Sequence, residues 1–152
     1  KRRHHHTLVG TNGRLDTLQA AVLLAKLPHY PKEINARINA GKTYNKLLKN
    51  FCTIPNTTAG NTHVYAQYTI RLPQRDQLSV ELKAAGIPSA VYYPKCLHEQ
   101  PVYQNLGYRS GTFPESEKAS IEVLSIPIHP FIQMDEQHSV FDTISKCLSN
   151  VQ

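Results

Sequence analysis

Asn12, Arg14 and Asp16 alternate along Gly10-Thr-Asn-Gly-Arg-Leu-Asp16, so an extended backbone places their side chains on one face. An amide and a guanidinium presented together suit a phosphate or pyrophosphate, which accepts both neutral donors and a bidentate fork. Taken alone, the same residues would more readily serve as an Arg14–Asp16 ion pair and an Asn12 turn bond. A second set lies in Val91-Tyr-Tyr-Pro94, where Tyr92 and Tyr93 carry phenols suited to sugar hydroxyls or a phosphate. Strand alternation there predicts one tyrosine in the core and the other available to a ligand. His98 and Gln100 follow as candidate loop contacts.

Other chemistries are poorly served. His4, His5 and His6 are consecutive, so on an extended arm they alternate sides and cannot all converge on one ion. His29, His63, His129 and His138 sit singly and read as helix ends and turns, so no metal site is expected. Ser125 and Ser139 lack Gly-x-Ser-x-Gly surroundings, and Gly10 and Gly13 lack the third glycine and preceding strand of a phosphate loop. The lysines fall in amphipathic helices or turns, without the burial or cationic neighbour that would lower an amine's pKa for covalent work. No catalytic residue is assigned.

These residues must be held by a small set of elements. Residues 1–14 read as an extended arm. Asp16 and Gln19 make a capping-box pattern ahead of a helix over about Thr17–Leu27, whose Leu18, Val22, Leu23, Leu24 and Leu27 form a broad apolar surface needing cover on more than one side. Pro28 and Pro31 punctuate the chain. A second helix to about Asn50 carries Ile34, Ile38, Gly41, Tyr44 and Leu48 at helical spacing. Strands are expected over Val64–Leu72, Ile87–Tyr93 and Leu124–Ile128. Helices are expected from Pro73 to the Gly86 stop, around Pro101–Leu106, over Glu115–Val123, and from an Asp135 cap through Val140, Phe141, Ile144 and Leu148. The expected class is α+β, a sheet of about three strands with helices packed on it.

The chain has 152 residues, 40% of them apolar, enough for one folded domain. No apolar run approaches the roughly 20 residues of a membrane span, and no signal peptide is visible. Half of the +6 formal charge comes from Lys1, Arg2 and Arg3, a local basic arm rather than a nucleic-acid face. Cys52, Cys96 and Cys147 are odd in number and widely spaced, as expected of reduced thiols in a cytoplasmic protein.

The arm feeding Leu18-Gln-Ala-Ala21 resembles the pyridoxal-phosphate (PLP) nucleotide-sugar aminotransferases of the DegT/DnrJ/EryC1/StrS family, closest to the branch acting on UDP-linked sugars in bacterial surface-polysaccharide synthesis. The resemblance continues through His63-Val-Tyr-Ala-Gln-Tyr-Thr-Ile-Arg71, Gly86-Ile-Pro-Ser-Ala-Val-Tyr-Tyr-Pro94, Leu97-His-Glu-Gln-Pro-Val-Tyr103, Pro114-Glu-Ser-Glu117 and Leu124-Ser-Ile-Pro-Ile-His-Pro130, in the family's order. Gly13 and Cys96 depart from the pattern.

What the resemblance implies is specific. The sheet would be antiparallel, like that of the C-terminal domain of fold-type-I PLP aminotransferases. Residues 1–30 would be the arm and an interdomain helix, and residues 31–152 the small C-terminal domain. The Schiff-base lysine and the rest of the PLP site would belong to a large domain preceding residue 1, leaving this chain inactive alone. Asn12 would touch the PLP phosphate of the neighbouring subunit of a homodimer or higher assembly. Arg14, Tyr92, Tyr93 and His98 would contact a nucleotide-linked keto-sugar aminated at the expense of an amino acid such as glutamate. The alternative is a non-catalytic binding or assembly module that uses the basic arm on an anionic partner.

Overall fold

The computed structural model describes residues 6–11 and 13–149. Asp16 and Gln19 do form a capping box, with the Asp16 N–H donating to Gln19 Oε1 at 3.4 Å, and helix α1 follows over Thr17–Lys26. Its apolar side chains meet almost nothing: Leu18 is 82% and Leu24 70% exposed, and no α1 residue is buried. The two prolines expected to punctuate the chain mark a short 3-10 interruption between two helices, with no loop. One 3-10 turn, Leu27–His29, joins α1 to α2 (Tyr30–Leu48). Pro28 and Pro31 each sit near the start of a helical segment, where the missing N–H has no intrahelical partner to lose.

Strand β1 (Tyr68–Arg71) pairs antiparallel with β2 (Val123–Ile126), Tyr68 opposite Ile126 and Ile70 opposite Leu124. The fold is α+β with a small antiparallel sheet, and it has two strands among the described residues where about three were expected. Residues 87–93 are not a strand. Only Ala90 pairs, exchanging both backbone bonds with Ser125 at 3.0 and 2.7 Å. Pro88 and Pro94 lack donors and lie on either side of Ala90, which limits pairing to that bridge. The first strand is also shorter than Val64–Leu72, because Tyr65 has a positive φ of 46° that interrupts the extended backbone.

Helix α3 (Arg75–Ala84) ends in a Schellman turn: Ile87 N–H reaches Leu82 O at 2.8 Å and Gly86 N–H reaches Lys83 O at 3.1 Å, with Gly86 at φ 73°. Helices α4 (Pro114–Glu122) and α5 (Met134–Ser149) complete the set. Asp135 lies within the first turn of α5 and not at its cap; the Glu136 carboxylate instead accepts the Gln133 N–H at 2.7 Å.

One core unites these elements. Tyr44 and Leu48 of α2, Tyr68 and Ile70 of β1, Leu78 and Leu82 of α3, Leu124 of β2 and Ile144 of α5 are fully buried. Cys147 is buried in the α5 stripe, whereas Phe141 and Leu148 pack at its margin. Buried Arg75 donates to the carbonyls of Ser120 and Val123 at 3.3 and 3.0 Å, so the end of α4 is locked onto the start of α3. That lock fixes where α4 presents its first turn.

Candidate functional site

The chain leaving the Ala90–Ser125 bridge runs through Tyr92, Tyr93 and Lys95 into two 3-10 turns, Leu97–Glu99 and Pro101–Leu106, stacked against α4. Two adjoining cavities open there. The larger, about 640 Å³, is lined by His6, Tyr92, Tyr93, Lys95, Gln100 and Ser120 among others. The smaller, about 410 Å³, is lined by His98, Tyr103, Leu106, Tyr108 and Phe113. Cys96, Leu97 and Ser116 form the shared wall.

Tyr92 and Tyr93 were expected on opposite faces of a strand. With no strand there, both line the larger cavity, their rings 5.7 Å apart and edge-on across a cis peptide. Tyr92 is half-buried and Tyr93 exposed. With Lys95 and Gln100 they supply phenols, an ammonium and an amide, donors and acceptors suited to a polyhydroxylated, anionic ligand.

His98 lines the smaller, aromatic cavity. Its Nε2 lies 3.0 Å from Glu117 Oε1, with 7% and 19% of the two side chains exposed. Phe113 packs edge-on against the imidazole at 4.9 Å, and Tyr108 packs on Phe113 at 5.3 Å. The Glu117 carboxylate also accepts the Gly111 N–H at 2.7 Å and the Phe113 N–H at 3.2 Å. These backbone donors, Gly111 foremost, hold its carboxyl below the ordinary glutamate range, and His98 adds to the effect. Burial pushes the nearby Cys96 thiol up, so it is a poor nucleophile.

The arm reaches this region at His6, whose N–H donates to Gln100 Oε1 at 3.4 Å and whose carbonyl accepts the Val102 N–H at 3.2 Å. Arg14 lies further along, exposed, lining neither cavity and without an ion-pair partner among the described residues. Asn12 lies outside the described residues. The fold therefore gathers Tyr92, Tyr93 and His98 into one region and leaves Arg14 outside it.

Sequence reading missed Glu117 and Lys95 as site residues. The signal for Glu117 was its place in an acidic first helical turn behind a Gly-Thr-Phe-Pro turn. Lys95 carries no local signal. His63 and His129 each accept a backbone N–H two residues on, from Tyr65 and Phe131. Among the described residues no group of three or more His, Cys, Asp or Glu is placed to hold a metal, and no helix is long and apolar enough to cross a membrane.

The DegT/DnrJ/EryC1/StrS aminotransferase family model matches residues 1–145. The chain is 41% identical over 150 residues to a pleiotropic regulatory protein of Geobacillus stearothermophilus, covering 96% of this chain and 40% of that protein. It is 42% identical over 132 residues to the UDP-2-acetamido-2-deoxy-3-oxo-D-glucuronate aminotransferase of Pseudomonas aeruginosa, covering 86% of this chain and 36% of that enzyme. The crystal structure of a DegT DnrJ EryC1 StrS aminotransferase from Brucella abortus superposes with a TM-score of 0.83 at 38% identity, over 97% of this chain and 40% of that one. The chain thus spans about 40% of the length of the curated relatives it matches.

Proposed function

The chain belongs to the DegT/DnrJ/EryC1/StrS aminotransferase family, and from that premise we propose that the whole protein transfers an amino group from an amino acid, glutamate first among the candidates, to a nucleotide-linked keto-sugar. The observation that carries this is the family match over residues 1–145 joined to a groove edged by Tyr92 and Tyr93, into which Lys95 and Gln100 also face. A UDP-linked sugar is favoured by the likeness to the Pseudomonas aeruginosa enzyme.

In this reading PLP supplies the amino-transfer chemistry, and the protein binds and orients the reactants. The described residues do not by themselves make a PLP site: no carboxylate lines the groove to face a ring nitrogen, and Asn12, expected at the phosphate, lies outside them. The cofactor's remaining ligands then come from the rest of the enzyme. Residues 1–30 serve as arm and interdomain helix, and residues 31–152 as the small domain. Tyr92, Tyr93 and His98 bind and orient the sugar nucleotide in their own subunit. Arg14, exposed on an arm away from that groove, contacts substrate in the neighbouring subunit, and Asn12 the neighbouring PLP phosphate. The uncovered apolar face of α1 supports self-association, and the free thiols of Cys52, Cys96 and Cys147 support a cytoplasmic setting. The alternative, a non-catalytic binding or assembly module using the arm Lys1–Arg14 on an anionic partner, finds no support in the family match or the relatives.

The test is a mixed dimer of the complete enzyme, combining Arg14→Ala subunits with subunits lacking the Schiff-base lysine. A crossing arm leaves one site with both defects and the other with neither, so activity returns to about half per dimer. Exchanged dimers that regain no activity would place Arg14 in its own subunit's site and overturn the crossing arm.

A further inference from the structure

Glu117 does more than close a loop. Its Oε2 accepts the Gly111 N–H at 2.7 Å, and its Oε1 is shared between the Phe113 N–H at 3.2 Å and His98 Nε2 at 3.0 Å. Neither His98 nor Glu117 belongs to the hydrophobic core, which is complete without them. An ionised carboxylate can only accept hydrogen bonds, so the Nε2 facing it must carry the proton. Phe113 packs edge-on against the same ring, 4.9 Å between centroids. Nδ1, which has no hydrogen-bond partner among the described residues, is then the nitrogen left for a ligand in the cavity that His98 lines.

We propose that Glu117 is a positioning residue that fixes His98 as the Nε2–H tautomer and so presents Nδ1, in the neutral ring, as an acceptor for a hydroxyl or N–H donor of the substrate. The substrate class rests on the sugar-aminotransferase reading; the tautomer does not. The consequence is a specificity: Nδ1 in this state reads a donor on a sugar or base and gives no hydrogen bond to a phosphate oxygen.

Two measurements decide it. In the 152-residue chain, a long-range proton–nitrogen correlation spectrum above the histidine titration, with His98 assigned through His98→Gln, should show the Nε2–H tautomer. Glu117→Gln keeps the shape but has one acceptor oxygen. The short Gly111 bond should retain that oxygen, so the NH2 takes the Oε1 position, gives up the longer Phe113 N–H bond and donates to Nε2, shifting the ring to Nδ1–H without loss of fold. An Nδ1–H ring in the wild type, or an unchanged tautomer in folded Glu117→Gln, overturns the proposal. Should that variant fail to fold, the wild-type spectrum still decides.

In the complete enzyme, Glu117→Gln should raise KM for a UDP-linked keto-sugar about tenfold and leave kcat within about twofold, the pattern of lost uniform binding. A wild-type KM in that variant overturns Nδ1 as a substrate contact. A wild-type enzyme that aminates no nucleotide-sugar removes the aminotransferase reading instead, and the tautomer spectrum then decides Glu117 alone.

Discussion

His98 Nε2 and Glu117 Oε1 stand 3.0 Å apart, and the carboxylate that holds the imidazole also holds the backbone amides of Gly111 and Phe113. One side chain thus ties the first turn of α4 to the loop before it and to the 3-10 turn that carries His98. Pairing of this kind makes the loop sensitive to acid. A carboxyl whose folded pKa is lowered stabilises the fold above its unfolded value, near 4, and loses that contribution as pH falls through the folded value. Protection of the Gly111 amide, measured against its intrinsic exchange rate, should therefore fall only below the ordinary glutamate range. Glu117→Gln, whose amide oxygen still accepts the Gly111 N–H but does not titrate, should keep that protection without an acid limb; an acid limb that survives in that variant would assign the effect to another group.

Two buried tyrosines should respond oppositely to loss of their hydroxyls. Tyr68 donates to Asn45 Oδ1 at 2.7 Å, whereas the Tyr44 hydroxyl has no partner among the described residues although its side chain is fully buried. Tyr68→Phe should cost about 1 kcal/mol, while Tyr44→Phe should be neutral or stabilising, since it removes an unsatisfied group. Paired urea melts check this. Destabilisation by Tyr44→Phe equal to that by Tyr68→Phe would mean that Tyr44 has a partner after all.

Gly41 lies under the Tyr65 ring, where an added Cβ would meet the ring atoms at 2.5 Å. The ring cannot easily yield: Asn45 donates to its hydroxyl at 3.3 Å, Arg37 donates to its carbonyl at 3.2 Å, and its φ is already positive. Alanine would gain about 1 kcal/mol of helix propensity, but overpacking costs about 1–3 kcal/mol. Net destabilisation by Gly41→Ala is expected in thermal melts, and it should shrink in a Tyr65→Ala background. Equal effects in both backgrounds would rule out the steric cause.

Helix α1 exposes Leu18, Leu23 and Leu24 and the 3-10 turn after it exposes Leu27; Leu23, Leu24 and Leu27 form a largely apolar groove with Leu15 and Tyr30. This chain should associate at high concentration, as apolar patches of that kind do. Leu24→Lys with Leu27→Lys should restore a monomer in sedimentation without lowering the melting temperature, because α1 contributes no buried residue. A wild-type chain that sediments as a monomer at high concentration would show that the face needs no cover.

The isolated chain should not transaminate. Incubation with PLP, borohydride reduction and peptide mapping should give scattered, substoichiometric lysine labelling. Stoichiometric capture at one lysine, Lys95 in the groove being the first to inspect, together with transfer to a keto-sugar, would reverse that expectation.

The sequence by itself determined the order and type of nearly every helix, the α+β class and the α1 cap, because capping, periodicity and glycine stops are local and are written within a few residues; the antiparallel pairing followed only from the family resemblance. It also carried the family, since Asn12, Arg14, Tyr92, Tyr93 and His98 lie in ordered blocks of polar residues along the chain. Tertiary structure alone decided the rest. The expected strand at residues 87–93 shrank to one bridge because pairing depends on what lies alongside, and here only Ala90 meets Ser125. Tyr92 and Tyr93 came to share a cavity for the same reason. Glu117 joined His98 across 19 residues because Arg75, buried 45 residues from Ser120, fixes the end of α4 and with it the turn that carries the carboxylate. Contacts of that separation depend on how helices settle on a sheet, and no local pattern encodes them.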